Sequence, residues 1–337
     1  MKIAIDAMGG DNAPQAAVEG SIQAVREYGI TVFLFGIENE IIKYVPEDMK
    51  NDSRIMIIDA LEVINAEDSP VKAIKQKKNS SMVMGLKAVK EKECDAFLSA
   101  GSTGAFLAGS LLKVGRIKGI DRPALAPILP TINGGGCMII DGGANTDCKA
   151  KNLLQFATLG SVYMEKVAKI NKPKVGLLNI GTEEAKGNDL VKEAFPLLKG
   201  MQNINFVGNI EARDVVDYAC DVLVTDGFAG NILLKGVEGT ALTIFKALKK
   251  EMTSNFKSKV GALLLKSSLQ GFKKKFDYTE VGGAPFLGID GIMIKAHGSS
   301  DAKAIKNAIR QAKLLHDCDY LNIVKSEIKN FGGKSIE

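Results

Sequence analysis

Apolar residues in this chain fall into short runs of Val, Ile and Leu, separated by longer stretches in which they recur every three or four positions. The runs predict strands at Lys2–Ala7, Thr31–Gly36, Ile55–Asp59, Ala96–Ala100, Gly136–Asp141, Lys174–Ile180, Ile204–Val207, Val222–Thr225 and Ile292–Ala296. The helical period predicts helices at Ala13–Tyr28, Ser81–Lys92, Phe106–Val114, Asn152–Ile170, Asn188–Leu198, Gly230–Lys250 and Ser300–Cys318. Continuous apolar runs suit parallel strands covered on both faces, and their alternation with helices predicts an α/β fold with a mainly parallel, doubly wound sheet. Ser300-Asp301 before Ala302 predicts a capped start for the last helix. The Pro-rich stretch Ile117–Asn133 is expected to be a loop without regular structure, of a length that hints at a functional or interface segment. Asn330–Lys334 is expected to fray. With no repeat, low-complexity linker or clean boundary, residues 1–337 are expected to form a single domain.

Clusters of Gly, Ser, Thr, Asn and Asp close six of the apolar runs. They are Asp6–Asp11, Ala100–Gly104, Asp141–Asn145, Asn179–Thr182, Thr225–Asn231 and His297–Asp301. In an α/β sheet the loops leaving the C-terminal ends of the strands gather at one crevice, where ligands bind. Glycines let backbone amides approach a ligand, and a following helix directs N–H groups at an anion. The repetition therefore predicts a small-molecule site, most naturally an anionic one, built from the whole length of the chain.

Composition excludes several alternatives. A hydrophobic fraction of 46% and a charged fraction of 25% are ordinary for a globular protein. Met1–Asp6 has too short an apolar run and too early an acid for a signal peptide. The uncharged stretch Ala124–Ile140 is broken by Pro127, Pro130 and Gly134–Gly136 and is too short to span a bilayer. Five scattered cysteines without a C-x-x-C pair read as reduced, buried thiols, so a cytoplasmic location is expected. From Lys246 to Phe276 there are nine Lys against one Glu, a net of +8 in a chain of net +5, which leaves −3 for the remainder. The basicity is local, and nucleic-acid binding is not expected.

Among the clusters, Ser99–Phe106 runs from a strand through Gly101-Ser102-Thr103-Gly104 into an apolar helix, forming an anion nest with two hydroxyl donors, or else an ordinary Gly-rich turn. It lacks the Lys-Ser/Thr of a Walker A loop and the spacing of a dinucleotide fingerprint. Lys186 follows a strand exit beside Gly187, where its ammonium would meet a phosphate or a developing oxyanion; the alternative is a solvated surface lysine. Asn231 stands near a helix start, as an amide donor to a carbonyl oxygen or as an N-cap. His297 shares its loop with Gly298 and Ser299, although a lone strand-end histidine is commonly structural; His316 is taken as structural or surface. No G-x-S-x-G elbow, H-E-x-x-H or Cys–His pair is present, so an acyl-enzyme nucleophile is not evident. A reaction in which two substrates attack each other, held by amides and one cation, suits these loops better.

The segments Ile5–Asp11, Lys77–Met82, Gly115–Ala124, Thr225–Asn231 and Lys295–Asp301 together resemble the bacterial phosphate acyltransferase family, the acyl-carrier-protein:phosphate transacylases of phospholipid synthesis. The resemblance runs in order from the first residues to about Ala312. It implies a fold like that of phosphotransacetylase and isopropylmalate dehydrogenase, and transfer of a fatty acyl group from acyl carrier protein (ACP) to inorganic phosphate. The acyl phosphate would then feed an acyl phosphate:glycerol-3-phosphate acyltransferase. It also implies a homodimer with peripheral membrane association and no cofactor or metal. Lys186 and Asn231 align with catalytic positions. Gly101, Ser102, Thr103, Gly104, Asn145, His297 and Ser299 are the residues expected to bind phosphate or acyl phosphate. Two departures from the family pattern are Ser102, usually Asn, and Gly142, commonly Val.

The basic segment at about 245–276 completes the picture. Phe245, Leu248, Met252, Phe256, Val260 and Leu263 recur at helical spacing with lysines between them, predicting a protruding basic amphipathic helix interrupted near Gly261. Phe245–Met252 is expected to face the core or a dimer contact. Phe256, Lys257, Lys259, Val260, Leu263 and Leu264 are expected to meet an anionic membrane or acidic ACP. The rival functions are a phosphotransacylase that uses acyl-CoA and a non-catalytic ACP- or membrane-binding protein. A β-decarboxylating dehydrogenase of similar fold would need carboxylates gathered for a divalent metal, and none are grouped.

Overall fold

A computed structural model describes residues 1–275 and 282–332. Its strands are β1 (Lys2–Asp6), β2 (Thr31–Gly36), β3 (Ile55–Asp59), β4 (Ala96–Ser99), β5 (Ala124–Leu125), β6 (Ile128–Pro130), β7 (Gly136–Ile140), β8 (Lys174–Asn179), β9 (Asn205–Glu211), β10 (Val222–Val224), β11 (Gly283–Leu287) and β12 (Ile292–Ala296). Its helices are α1 (Gln15–Tyr28), α2 (Glu38–Ile41), α3 (Pro70–Gln76), α4 (Ser81–Lys90), α5 (Thr103–Gly109), α6 (Ala150–Lys166), α7 (Asp189–Gly200), α8 (Gly227–Met252), α9 (Phe256–Leu264), α10 (Lys266–Lys275), α11 (Ala302–Asp317) and α12 (Tyr320–Gly332). Two compact units share them: Met1–Pro127, Thr158–Asn171 and Thr279–Glu337 in the first, Ile128–Ala157 and Lys172–Tyr278 in the second.

The first unit is built on a seven-stranded sheet of order β3-β2-β1-β4-β12-β11-β5. The strands from β3 to β12 are parallel, with Ile3 opposite Val32 and Ala96, while β11 runs antiparallel to β12 and to β5. Strand order changes direction between β1 and β4, and in doubly wound sheets such a switch point opens a crevice beyond the carboxyl ends of the strands. On the faces, Gly20 lets α1 approach α11 so closely that a Cβ there would sit 2.5 Å from the Ala302 carbonyl oxygen. Phe106 is fully buried and meets Phe97 and Phe286 edge to face at centroid distances of 5.2 and 5.3 Å, which ties α5 to the sheet.

The second unit holds a five-stranded sheet of order β6-β7-β10-β8-β9, parallel except for the edge strand β6. Pro130 is tolerated in β6 because an edge strand leaves one side unpaired, and Gly136 opposite it leaves room for Ile128. Leu129, Cys137, Ile139, Val215, Cys220 and Leu223 form the core of this unit.

The mostly parallel α/β arrangement follows from the apolar runs, and several expectations are corrected. The strands form two sheets instead of one. Ile117–Asn133 is not structureless, because β5 and β6 pair with β11 and β7 within it. The chain near 330 does not fray: α12 continues to Gly332, while Gly333 and Lys334 lie outside the described residues. Gly261 does not interrupt the basic segment, since it lies inside α9; the breaks fall at 253–255, where Asn255 caps α9 through the Ser258 N–H, and at Leu265. Phe276 lies outside the described residues. Phe245–Met252 does not face a core either: in α8 only Gly227 and Gly230 are buried. No helix among the described residues is long and apolar enough to cross a membrane.

Phe106→Ala should destabilise the protein by about 3–5 kcal/mol, since it empties a fully buried aromatic site. Urea unfolding checks this, and a loss below ~1 kcal/mol would mean that the aromatic trio does not anchor α5.

Candidate active site

β1, β4 and β12 are neighbours and parallel, so their exits gather along one edge of the first unit. The first loop, Met8–Asn12, clasps the third: the Asp11 N–H donates to the Gly298 carbonyl at 2.8 Å, and Asn12 Nδ2 donates to the carbonyls of Ser299 and Ser300, each at 3.2 Å. Two glycines make this approach possible. A Cβ on Gly9 would lie 2.5 Å from Asp6 Oδ2 and 2.7 Å from the Gly101 nitrogen. Gly10, at φ +102°, would press a Cβ to 2.9 Å from Ala100 Cβ and the Gly298 oxygen.

Within this cluster lie Gly101, Ser102, Thr103, Gly104, His297 and Ser299. Ser102 is the N-cap of α5, its Oγ accepting from the Ala105 N–H at 3.4 Å; its hydroxyl proton stays available for donation. Thr103 and Gly104 are exposed. They occupy the first turn of α5, whose N–H groups have no carbonyl partner within the helix. The Gly101 N–H is different, because it donates inward to Ser99 Oγ at 3.0 Å. His297 is exposed, and its Nδ1 accepts the Ser299 N–H at 3.2 Å with Ser299 Oγ at 2.8 Å. An accepting Nδ1 places the proton of the neutral ring on Nε2, a donor suited to an anion.

Beneath the loops is a buried polar group that sequence reasoning passed over. The Asp6 carboxylate accepts from Ser81 Oγ and Ser99 Oγ, both at 2.6 Å, and from the Met8 N–H at 3.3 Å. Burial holds its carboxyl above the usual range, a rise that those hydrogen bonds and the charge of Lys295 offset only in part. The Lys295 ammonium is buried too and donates to the carbonyls of Ala100, at 3.2 Å, and Ala296. The only signal in the sequence was a polar residue closing an apolar run.

In the second unit Asp141 plays a parallel part. Its carboxylate accepts from the N–H groups of Gly143, Ala144 and Asn145 at 3.0, 2.9 and 2.7 Å, and from Asn145 Nδ2 at 2.8 Å. Asn145 is thereby buried, and its carbonyl receives the Gly227 N–H at 2.7 Å, joining this loop to the start of α8. Asp226 is the N-cap of α8, holding the Phe228 and Ala229 N–H groups at 2.9 Å each. Asn231 is therefore not the cap: it lies inside the helix, exposed, with its side chain against Gly143, where a Cβ would be 3.4 Å from Asn231 Cγ. Gly230 has no room for a side chain, which would fall on the Asp141 carbonyl oxygen.

Lys186 leaves the strand next to β10. Asn179 Nδ2 donates to the Lys186 carbonyl at 3.0 Å, and the Lys186 N–H donates to the Glu183 carbonyl at 3.1 Å. Asn209 Nδ2 holds that same carbonyl at 3.0 Å. The backbone is fixed and the side chain is exposed, with no ion-pair partner for its ammonium among the described residues. Asn145 and Asn231 thus share one loop cluster of the second unit, and Lys186 stands on the neighbouring strand's exit. Phe256, Lys257, Lys259, Val260, Leu263 and Leu264 are all exposed on α9. No group of three His, Cys, Asp or Glu among the described residues is placed to hold a metal ion.

Comparison with known proteins gives the class and then the family. The solved phosphotransacetylase from Streptococcus pyogenes matches with a TM-score of 0.60 at 17% identity, covering 94% of each chain. The EutD phosphotransacetylase from Staphylococcus aureus matches at 0.55 and 16%, again over 94% of each. The fold is therefore the doubly wound α/β fold of the phosphotransacetylases. Residues 1–322 match the family model described as fatty acid synthesis protein. A phosphate acyltransferase from Alkaliphilus oremlandii is 53% identical over 100% of both chains, and one from Caldicellulosiruptor saccharolyticus is 55% identical over 97% of this chain and 98% of its own. This chain belongs to the phosphate acyltransferase family and is an acyltransferase.

Replacing Asp141 by Ala should speed amide hydrogen exchange at Gly143, Ala144 and Asn145 by about tenfold or more, because each of these N–H groups loses a charged acceptor. Exchange at unchanged rates would show that the backbone holds the loop unaided.

Proposed function

We propose that this chain transfers a fatty acyl group from acyl-ACP to inorganic phosphate, giving acyl phosphate and free ACP for phosphatidic acid synthesis. The observation that carries the reading is the turn after β4. Backbone N–H groups at the start of α5, the hydroxyls of Ser102 and Thr103, and the nearby His297 form a donor set for a tetrahedral anion, in a chain whose full-length relatives are phosphate acyltransferases.

In this reaction a phosphate oxygen attacks the thioester carbonyl directly, forming the new C–O bond. Ser102, Thr103, Gly104, His297 and Ser299 hold the phosphate, Gly101 lets the turn close upon it, and Asn145 braces the loop beside Asn231. In the second unit we assign the Asn231 amide the role of donor to an oxyanion and Lys186 that of the cation that neutralises developing charge. The C–S bond then breaks and its electron pair leaves with the ACP sulfur. A thiol with a pKa of about 8.5 needs little help to depart as thiolate. No cofactor takes part. The product passes to an acyl phosphate:glycerol-3-phosphate acyltransferase.

The remaining roles belong to the exposed helices. Phe256, Leu263 and Leu264 are 80%, 69% and 79% exposed, with Lys257 and Lys259 among them. Apolar side chains ringed by lysines suit an anionic lipid surface or acidic ACP. This supports a cytoplasmic enzyme held peripherally at the membrane where its product is used. The exposed length of α8 supports a homodimer.

Lys186→Ala and Asn231→Ala should each lower phosphate-dependent release of ACP thiol by about 100–1000-fold while the protein stays folded. Near wild-type rates in both would end this assignment, and a preference for acyl-CoA over acyl-ACP as donor would replace ACP with CoA. Leu264→Glu should release the protein from vesicles containing anionic phospholipid without changing its thermal unfolding. Unchanged co-sedimentation would leave these lysines to ACP.

A further inference from the structure

We infer that Asp6 and Ser99 are positioning residues for phosphate, an inference that rests on the turn after β4 being the phosphate site. The geometry is a relay. The Gly101 N–H donates to Ser99 Oγ at 3.0 Å, the Ser99 hydroxyl donates to Asp6 Oδ2 at 2.6 Å, and the Ser81 hydroxyl donates to Asp6 Oδ1 at 2.6 Å. A hydroxyl that accepts one hydrogen bond must send its own proton elsewhere, and among the described residues the Ser99 proton goes to the carboxylate. Asp6 therefore fixes the rotation of the Ser99 hydroxyl, so that an oxygen lone pair faces Gly101. The turn is held one residue before Ser102, Thr103 and Gly104, the last two of which are exposed.

Four further observations place the relay under the loops as a group. Asp6 and Ser99 are 3% and 0% exposed, so neither can touch phosphate itself. The Met8 N–H on the first loop donates to the same carboxylate. Lys295, buried alongside, grips the Ala100 carbonyl and lends Asp6 a compensating positive charge. A buried carboxylate with three donors and a cation within reach is electrostatically stiff, since reorienting any donor leaves another buried group without a partner. The missing side chain of Gly9 lets the first loop close over the relay; a Cβ there would strike Asp6 Oδ2 and the Gly101 nitrogen together.

The test is steady-state kinetics with phosphate and acyl donor varied separately. Ser99→Ala leaves the Gly101 N–H without its acceptor. It should raise the KM for phosphate about tenfold or more, with the donor KM and the kcat at saturating phosphate within about threefold of wild type. Asp6→Asn keeps side-chain volume, replaces an acceptor with an NH2 donor, and should shift the phosphate KM in the same direction, so it carries the test should Ser99→Ala fail to fold. A phosphate KM unchanged in a folded variant, or a donor KM that rises in step with it, overturns the inference even where the melting temperature falls. A wild-type enzyme whose thiol release does not depend on phosphate defeats the underlying reading of the turn instead.

Discussion

Carboxylates buried at the ends of two strands hold the loops of this protein in place, one in each unit. Asp6 closes β1 and Asp141 is the first residue after β7; Asp141 turns its oxygens toward the loop that follows, whereas Asp6 takes one donor from that loop and two from Ser81 and Ser99. The loops are rich in glycine, which imposes no conformation, and their N–H groups have left the sheet that would otherwise pair them. A carboxylate accepts up to four hydrogen bonds, so one small side chain can gather several such donors at once. Asp141 does so with three consecutive backbone N–H groups and the Asn145 amide, while Asp6 works through two serine hydroxyls. Away from water these charged hydrogen bonds are strong.

Glycine is the counterpart of this constraint. Gly9, Gly10, Gly227 and Gly230 all lie where a methyl group would strike backbone or a carboxylate, so the loops close to hydrogen-bonding distance only because no side chain intervenes. Asp226 then fixes the direction of α8 and presents Asn231 from the second turn of a helix whose start cannot slip. In the proposed reaction that stiffness is the main contribution of the fold, since phosphate and thioester do the bond-making and the protein orients them.

Most parallel strands were legible because they centre on short apolar runs, and boundaries such as Lys2–Asp6 and Ile292–Ala296 lie within one residue of expectation, whereas β9, NFVGNIE, runs four residues beyond the expected Val207. The pairing of strands into two sheets was not legible, because β5 and β6 are only two and three residues long and β11 carries Gly283 and Pro285, so these strands take their extended form from the partners they meet. Glycine at 261 looked like a helix breaker, yet helix α9 runs through it and ends where Asn255 and Leu265 set its caps. At the candidate site, the Gly-Ser-Thr turns were visible as composition. Asp6, Ser81, Ser99 and Lys295 were not, because their partners lie 75 to 195 residues away and only the folded sheet brings them together. Asn231 read equally well as a cap or as a donor until Asp226 was seen to take the cap.

In the proposed reaction phosphate meets the thioester with no acyl group ever bonded to the protein. Intact-mass spectrometry of the enzyme mixed with acyl-ACP in phosphate-free buffer, run alongside a thiol-release assay, tests it most directly. Direct attack by phosphate leaves the protein mass unmodified and gives no burst of thiol until phosphate is added. A stoichiometric acyl adduct on the protein, formed with a matching burst of free ACP thiol, would contradict it.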